Sequence, residues 1–236
     1  MRIGVFDSGL GGINVLSCLR KKYPKNDYIY FGDTKNLPYG DKSINELYKL
    51  AKDAIDFLLT KNVDVIIIAC GTISSNCYKE LKDEYKIPIF DIISPTINYL
   101  KKSFYENIGV IGTTRTIESG IFSIPNKNIQ MKSTPSFVSI IENNLIKKKK
   151  KEIIDELSCF KKCDFLVLGC THYPSLKKII NNMGIKTLDM GEVLVDTLKI
   201  DNYGKSTCEL YFSEISSILI QNINSILEND YQIFKK

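Results

Sequence analysis

The chain has a single histidine, His172, among 236 residues, and only three arginines, Arg2, Arg20 and Arg115. So little arginine argues against a nucleic-acid reader, because bidentate contacts to phosphate and guanine rest on guanidinium groups. The net charge of +5 therefore comes almost wholly from lysine. The densest basic run, Lys147 to Lys151, reads as a solvated helix face or loop. No apolar run reaches the roughly 18 residues of a membrane span. With 14 Gly and 7 Pro, neither a collagen-like nor a low-complexity chain is possible. The opening Met1 to Gly12 carries an acid and glycines where a secretory leader would have a basic flank and a longer apolar stretch. A cytoplasmic location, away from membranes, is the expectation. The seven cysteines are odd in number and lack a secretory context, so reduced thiols are expected rather than a disulfide framework.

What is present is a repeated strand–loop–helix pattern. Ile3–Phe6 reads as a short apolar strand, followed by a Gly-rich turn and an amphipathic helix to about Lys22. A second strand, Tyr28–Phe31, precedes a loop over 32–40. Apolar residues at Ile44, Leu47, Ala51, Ile55 and Leu58 recur at helical spacing. Val63–Ala69, broken only by Asp64, is an apolar run rich in β-branched residues, the signature of a strand buried on both faces of a parallel sheet. The pattern restarts with strands at Ile108–Gly112, Phe165–Leu168 and Lys186–Leu188, and the last residues, from Glu214, read as a helix. This predicts an α/β fold of two related domains with mainly parallel sheets and an active site in the cleft between them. The expected partition is 1–94 with a C-terminal helix over 208–236, and 95–207 as the second domain.

An internal echo sharpens this reading. Val65 to Ser75 aligns with Phe165 to Ser175, and each segment delivers a cysteine, Cys70 or Cys170, at the carboxyl end of a buried strand. Ligands of open parallel sheets sit outside those ends, so two facing halves would set the two thiols on opposite walls of one cleft. Such a pair suits inversion of a carbon stereocentre. One group removes a proton from one face, the other supplies a proton to the opposite face, and the roles exchange in reverse. A thiol serves because neighbours can bring its pKa, about 8.5 when free, toward neutrality. His172 lies two residues after Cys170, and Asp7 ends the first strand near Cys70. Other readings of these residues are weaker. Cys159, Cys163, Cys170 and His172 lack the paired spacing of structural zinc ligands. The turn at Gly9–Gly12 lacks the Gly-x-Gly-x-x-Gly spacing of a dinucleotide site. Asp33 has no assigned role beyond shaping its loop.

The segments Asp7-Ser8-Gly9-Leu10-Gly11-Gly12, Pro38-Tyr39-Gly40, Ala69-Cys70-x-Thr72 and Gly169-Cys170-Thr171-His172-Tyr173-Pro174 together resemble the signature set of the glutamate racemases. These belong to the cofactor-independent aspartate/glutamate racemase superfamily. Ile111 to Ser119 and Phe137 to Glu142 resemble further family segments. The resemblance implies Cys70 and Cys170 as the acid/base pair, with Asp7 assisting the first, His172 the second, and Glu142 a further carboxylate in the proton path. It also implies substrate contacts from Asp7, Ser8, Pro38, Tyr39, Gly40, Gly71, Thr72, Thr113, Thr171 and His172, through hydroxyls and loop amides that can hold a dicarboxylate without an arginine cluster. It implies no pyridoxal phosphate and no metal, a small amino acid as partner, a homodimer, and D-glutamate supply for peptidoglycan. One position departs from the family: Gly71 stands where asparagine is usual. A lost hydrogen bond to a charged group costs roughly 1.5–3 kcal/mol, so weaker binding, or another substrate such as aspartate, is a competing expectation. A non-catalytic amino-acid-binding regulator on the same scaffold is another.

Overall fold

The computed structural model describes residues 1–228 and 230–236. The first half alternates strands and helices: β1 (Arg2–Asp7), α1 (Gly12–Lys22), β2 (Asp27–Gly32), α2 (Ile44–Leu59), β3 (Val65–Ile68), α3 (Gly71–Asn76), α4 (Tyr78–Glu84), β4 (Ile89–Asp91) and α5 (Ile93–Lys102). The second continues with β5 (Asn107–Gly112), α6 (Thr114–Glu118), β6 (Asn128–Ser133), α7 (Ser136–Glu142), α8 (Lys150–Leu157), β7 (Phe165–Leu168), α9 (Lys177–Asn182), β8 (Thr187–Asp189) and α10 (Met190–Thr197). The chain closes with β9 (Cys208–Phe212), α11 (Ser217–Ile226) and β10 (Gln232–Lys235). Among the described residues, no helix is long and apolar enough to cross a membrane.

Two sheets result, ordered β10-β9-β2-β1-β3-β4 and β6-β5-β7-β8, and every strand pair is parallel. Strands of this kind are apolar on both faces. Along β1, Ile3 and Val5 join one core while Phe6 joins another, beneath α2 and α3. The first of these cores also takes in Val110, Val167, Met190 and Leu194, so one continuous apolar layer joins the two sheets. The second sheet's outer face is covered by α7, α8 and α9. Local signals set several boundaries. Ser43 caps α2 by accepting from the Glu46 amide while the Glu46 side chain takes the Ser43 amide, a reciprocal cap of the helix start.

The alternating pattern and the strand positions match the sequence expectation closely through residue 94. Two differences follow. The expected division at Ser94–Pro95 falls inside α5, where Pro95 occupies the first turn and so displaces no helical hydrogen bond. The expected helix over 208–236 is corrected to strand, helix and strand. Leu210 and Phe212 share one face of β9 and enter the first core, and β9 and β10 extend the first sheet beyond β2. The partner of β9 lies about 180 residues upstream, out of reach of any local signal, and β10 pairs in turn with β9. Lys147 to Lys151 leads into α8 at the surface, mostly exposed.

Candidate active site

Each sheet places its chemistry at the carboxyl end of two adjacent strands. β1 lies between β2 and β3, so chain direction diverges there and opens a crevice at the strand ends. The register pairs Phe6 with Ile68, which sets Asp7 and Ser8 beside Ala69 and Cys70. In the second sheet Ile111 pairs with Leu168, setting Thr113 beside Cys170. The two cysteine loops face each other across a cavity of about 410 Å³. Both thiols line it, and both are buried, at 3% and 6% exposure. Its walls include no lysine or arginine among the described residues, which leaves His172 as the one potential cation.

The second thiol sits at the end of a polar chain. Cys170 Sγ lies 3.6 Å from His172 Nδ1, and His172 Nε2 lies 2.6 Å from Glu142 Oε1. Glu142 Oε1 also accepts the Leu10 amide at 3.1 Å. Burial disfavours the imidazolium, but hydrogen bonding to Cys170 and Glu142, with their charges, outweighs it and raises the His172 pKa well above its ordinary value. Glu142 pays for burial too, yet His172 and the Leu10 amide hold its carboxyl below the usual range. The first thiol has a different setting. Desolvation, reinforced by the charge of Asp7, pushes Cys70 up to about 12, opposed by the Ile73 amide and the Ser8 side chain. Asp7 is completely buried, and desolvation raises its own pKa despite His172 and the amides of Gly9 and Gly12. A proton is therefore held readily at the Asp7–Cys70 end, while at the other end the His172–Glu142 pair favours an imidazolium beside a carboxylate.

The two halves are stitched around this cavity. Thr171 Oγ1 donates to Asp7 Oδ1 at 3.1 Å, and Asn14 Nδ2 donates to the Thr171 carbonyl at 2.9 Å. On the far rim the Thr72 and Thr113 hydroxyls lie 2.9 Å apart, and Arg115 Nε donates to the Lys42 carbonyl at 2.8 Å. Gly11 permits the closest approach, because a Cβ there would stand 2.3 Å from Thr171 Oγ1 and 2.6 Å from His172 Nδ1.

Ser8, Pro38, Tyr39, Gly40, Gly71, Thr72, Thr113 and Thr171 all line the cavity, with Glu142 and His172. Asp7, fully buried, is not among the lining residues and meets them through the Thr171 hydroxyl. Several hydroxyls are already engaged within the protein. Tyr39 Oη donates to Asp33 Oδ2 at 2.7 Å, so Tyr39 offers its ring and backbone rather than a free hydroxyl. The same bond gives Asp33 a role: it also takes Asn36 Nδ2 on both oxygens, at 3.0 and 2.8 Å, and so braces the 33–40 loop. Gly71 differs from its sequence reading as well. A Cβ there would stand 2.8 Å from the Gly169 carbonyl oxygen, on the loop that bears Cys170. Its missing side chain is thus a close approach between the two thiol loops. The cavity also has a wall that sequence reasoning passed over: Leu37, Asp41, Pro135, Val138, Ser139 and Asn143. A signal for part of it existed, since Val138 and Ser139 lie four and three residues before Glu142 and share its helix face. Among the described residues no cluster of His, Cys, Asp and Glu is grouped to hold a metal ion.

The sequence profile of Asp/Glu/Hydantoin racemases matches residues 14–198, most of the chain. The chain belongs to this racemase family. It is 39% identical to a glutamate racemase of Aquifex aeolicus over 244 aligned residues, covering 98% of this chain and 96% of that one. The crystal structure of glutamate racemase from Aquifex pyrophilus superposes with a TM-score of 0.85 at 38% identity, covering 100% and 98% of the two chains. A glutamate racemase from Francisella tularensis, solved in complex with D-glutamate, superposes with a TM-score of 0.86 at 29% identity, covering 100% and 96%.

Proposed function

We propose that this protein is a glutamate racemase that interconverts L- and D-glutamate by proton transfer between two thiols. The observation that carries the reading is the pair of buried cysteines, one from each sheet, lining one small cavity. In one direction the Cys170 thiolate takes the Cα proton and becomes a thiol, while the Cys70 thiol gives its proton to the opposite face and becomes a thiolate. The reverse direction exchanges the roles. An imidazolium beside a sulfur favours its thiolate, so the His172–Glu142 pair serves Cys170. Asp7, buried beside Cys70, receives or returns a proton there. Exclusion of water strengthens each thiolate as a base. The substrate's ammonium and carboxylates are bound by Ser8, Thr72, Thr113 and Thr171 together with the Gly40 and Gly71 amides, and its ammonium lowers the cost of a second negative charge in the cleft. The reaction needs no cofactor in this scheme.

The functional domains follow the two sheets, the first including residues 208–236, with the division moved from 94/95 to an end of α5 and the cleft lying between them. The protein works as a cytoplasmic homodimer, and its product serves peptidoglycan synthesis. Support for glutamate over aspartate comes from the opening Asp7 to Gly12 segment and from relatives that bear the glutamate name. The test is racemisation across a panel of amino acids, with deuterium incorporation at Cα from heavy water. Glutamate is expected to turn over fastest. Faster turnover of aspartate would reverse the substrate, and no exchange with any amino acid in folded protein would favour a binding role.

A further inference from the structure

Beneath the cavity, on the middle of β2, lies a buried tyrosine that touches neither thiol. Tyr30 is 0% exposed, and its Oη donates to the Gly9 carbonyl at 2.5 Å. That carbonyl belongs to the peptide group whose other end is the Leu10 amide, and this amide donates to Glu142 Oε1 at 3.1 Å. The same oxygen faces His172 Nε2 at 2.6 Å, and His172 Nδ1 faces Cys170 Sγ at 3.6 Å. A hydrogen bond accepted at a peptide oxygen fixes the plane of that peptide and polarises its N–H, so bonds on either side strengthen each other. In this turn the flanking peptides are held by the Gly9 amide on Asp7 Oδ2 and by the Ile13 amide on the Leu10 carbonyl, both at 3.0 Å, so the Gly9–Leu10 peptide between them is the one that Tyr30 and Glu142 fix from its two ends.

We propose that Tyr30 is a positioning residue for the second thiol: by fixing the Gly9–Leu10 peptide, its hydroxyl orients Glu142 and, through it, His172 against Cys170. A residue on the first sheet thus sets the geometry of an acid/base group delivered by the second. The charged and titratable groups facing His172 are Cys170 from its own loop, Glu142 from α7 and Asp7 from β1. The charges of Asp7, Glu142 and Cys70, together with burial, keep Tyr30 a phenol and hence a donor.

The inference rests on the proposed racemase for its kinetic arm only. Because His172 is the sole histidine, a ¹⁵N-histidine label reports its ring alone, with or without turnover. Tyr30→Phe is expected to lower the pH at which His172 gives up its proton. It should lower kcat about tenfold while KM stays within about twofold, the mark of lost orientation rather than lost binding. The control is Tyr28→Phe on the same strand, whose buried hydroxyl donates instead to the Leu19 and Tyr23 carbonyls, at 3.1 and 2.8 Å. It should leave both readouts unchanged. Equal His172 protonation in Tyr30→Phe and the unsubstituted protein, or equal shifts in both variants, would overturn the proposal. Should Tyr30→Phe not fold, the unsubstituted protein decides: the Leu10 amide resonance should titrate together with His172, and a Leu10 amide indifferent to that titration would overturn it. Absence of racemisation in the unsubstituted protein counts against the proposed activity and leaves the histidine readout standing.

Discussion

Substitution of Gly71 by alanine tests whether the close approach of the two thiol loops sets the reactive geometry. The added Cβ would lie 2.8 Å from the Gly169 carbonyl oxygen, about 0.6 Å inside the 3.4 Å at which contact becomes ordinary. Gly169 has little room to retreat, since its own Cα is pressed on the β5 backbone, where a Cβ would meet the Ile111 carbonyl at 2.5 Å. The strain must therefore part the two loops. Overpacking of this kind costs about 1–3 kcal/mol, which for a chain of this size lowers Tm by roughly 3–9 °C. A 1 Å misplacement of reacting groups costs on the order of a hundredfold in rate, so a shift of about half that should lower kcat about tenfold. The assays are thermal unfolding and glutamate racemisation at saturating substrate. Gly71→Asn should behave similarly or worse, because its larger side chain starts from the same Cβ. Unchanged Tm and kcat in Gly71→Ala would refute the reasoning. A gain in activity for Gly71→Asn would restore the reading of Gly71 as a missing hydrogen bond.

Two further outcomes are expected. Cys70→Ser and Cys170→Ser should each lower racemisation by at least about a hundredfold, since a serine hydroxyl is a far weaker acid than a thiol and so neither gives up its proton nor forms its conjugate base near neutrality; near-normal turnover by either variant, in protein with native circular dichroism, would remove that cysteine from the acid/base pair. Glu142→Gln should destabilise the protein in a pH-dependent way. The Glu142 pKa is lowered from 4.5, so its contribution is complete above that value and fades as pH falls through the folded pKa. The His172 pKa is raised above 6.5, so its contribution is complete below that value and fades as pH rises through the folded pKa. The Tm difference between the variant and the unsubstituted protein should therefore be largest between about pH 4.5 and 6.5, and a difference that grows steadily toward alkaline pH would contradict the assigned pair.

Much of the site is legible in the sequence because its residues are reporters of short-range order. Val65–Ile68 and Phe165–Leu168 are apolar, β-branched or leucine-rich runs that read as buried strands, and a residue two places beyond such a strand emerges at its carboxyl end. That local rule suffices to put Cys70 and Cys170 at equivalent places in two halves. The helix positions of α1 and α2 likewise follow from the 3.6-residue spacing of their apolar faces.

Tertiary structure decided the rest, and most cases turn on a partner distant in the chain. β9 and β10 are short segments whose strand state depends on the open edge of β2, which only the folded sheet supplies. Tyr39 carries a hydroxyl suited to substrate, but the fold turns it onto Asp33, and the Thr171 hydroxyl onto Asp7. Gly71 reads as an absence until the second half is seen to press on it. Tyr30 reads as one more buried aromatic until its peptide partner is traced to Glu142 and His172. Sequence by itself determined which groups stand at the strand ends, since alternation and apolar runs act within a few residues. Which of those groups meet, and what each hydroxyl has left to offer, was decided by contacts between segments that no periodicity relates.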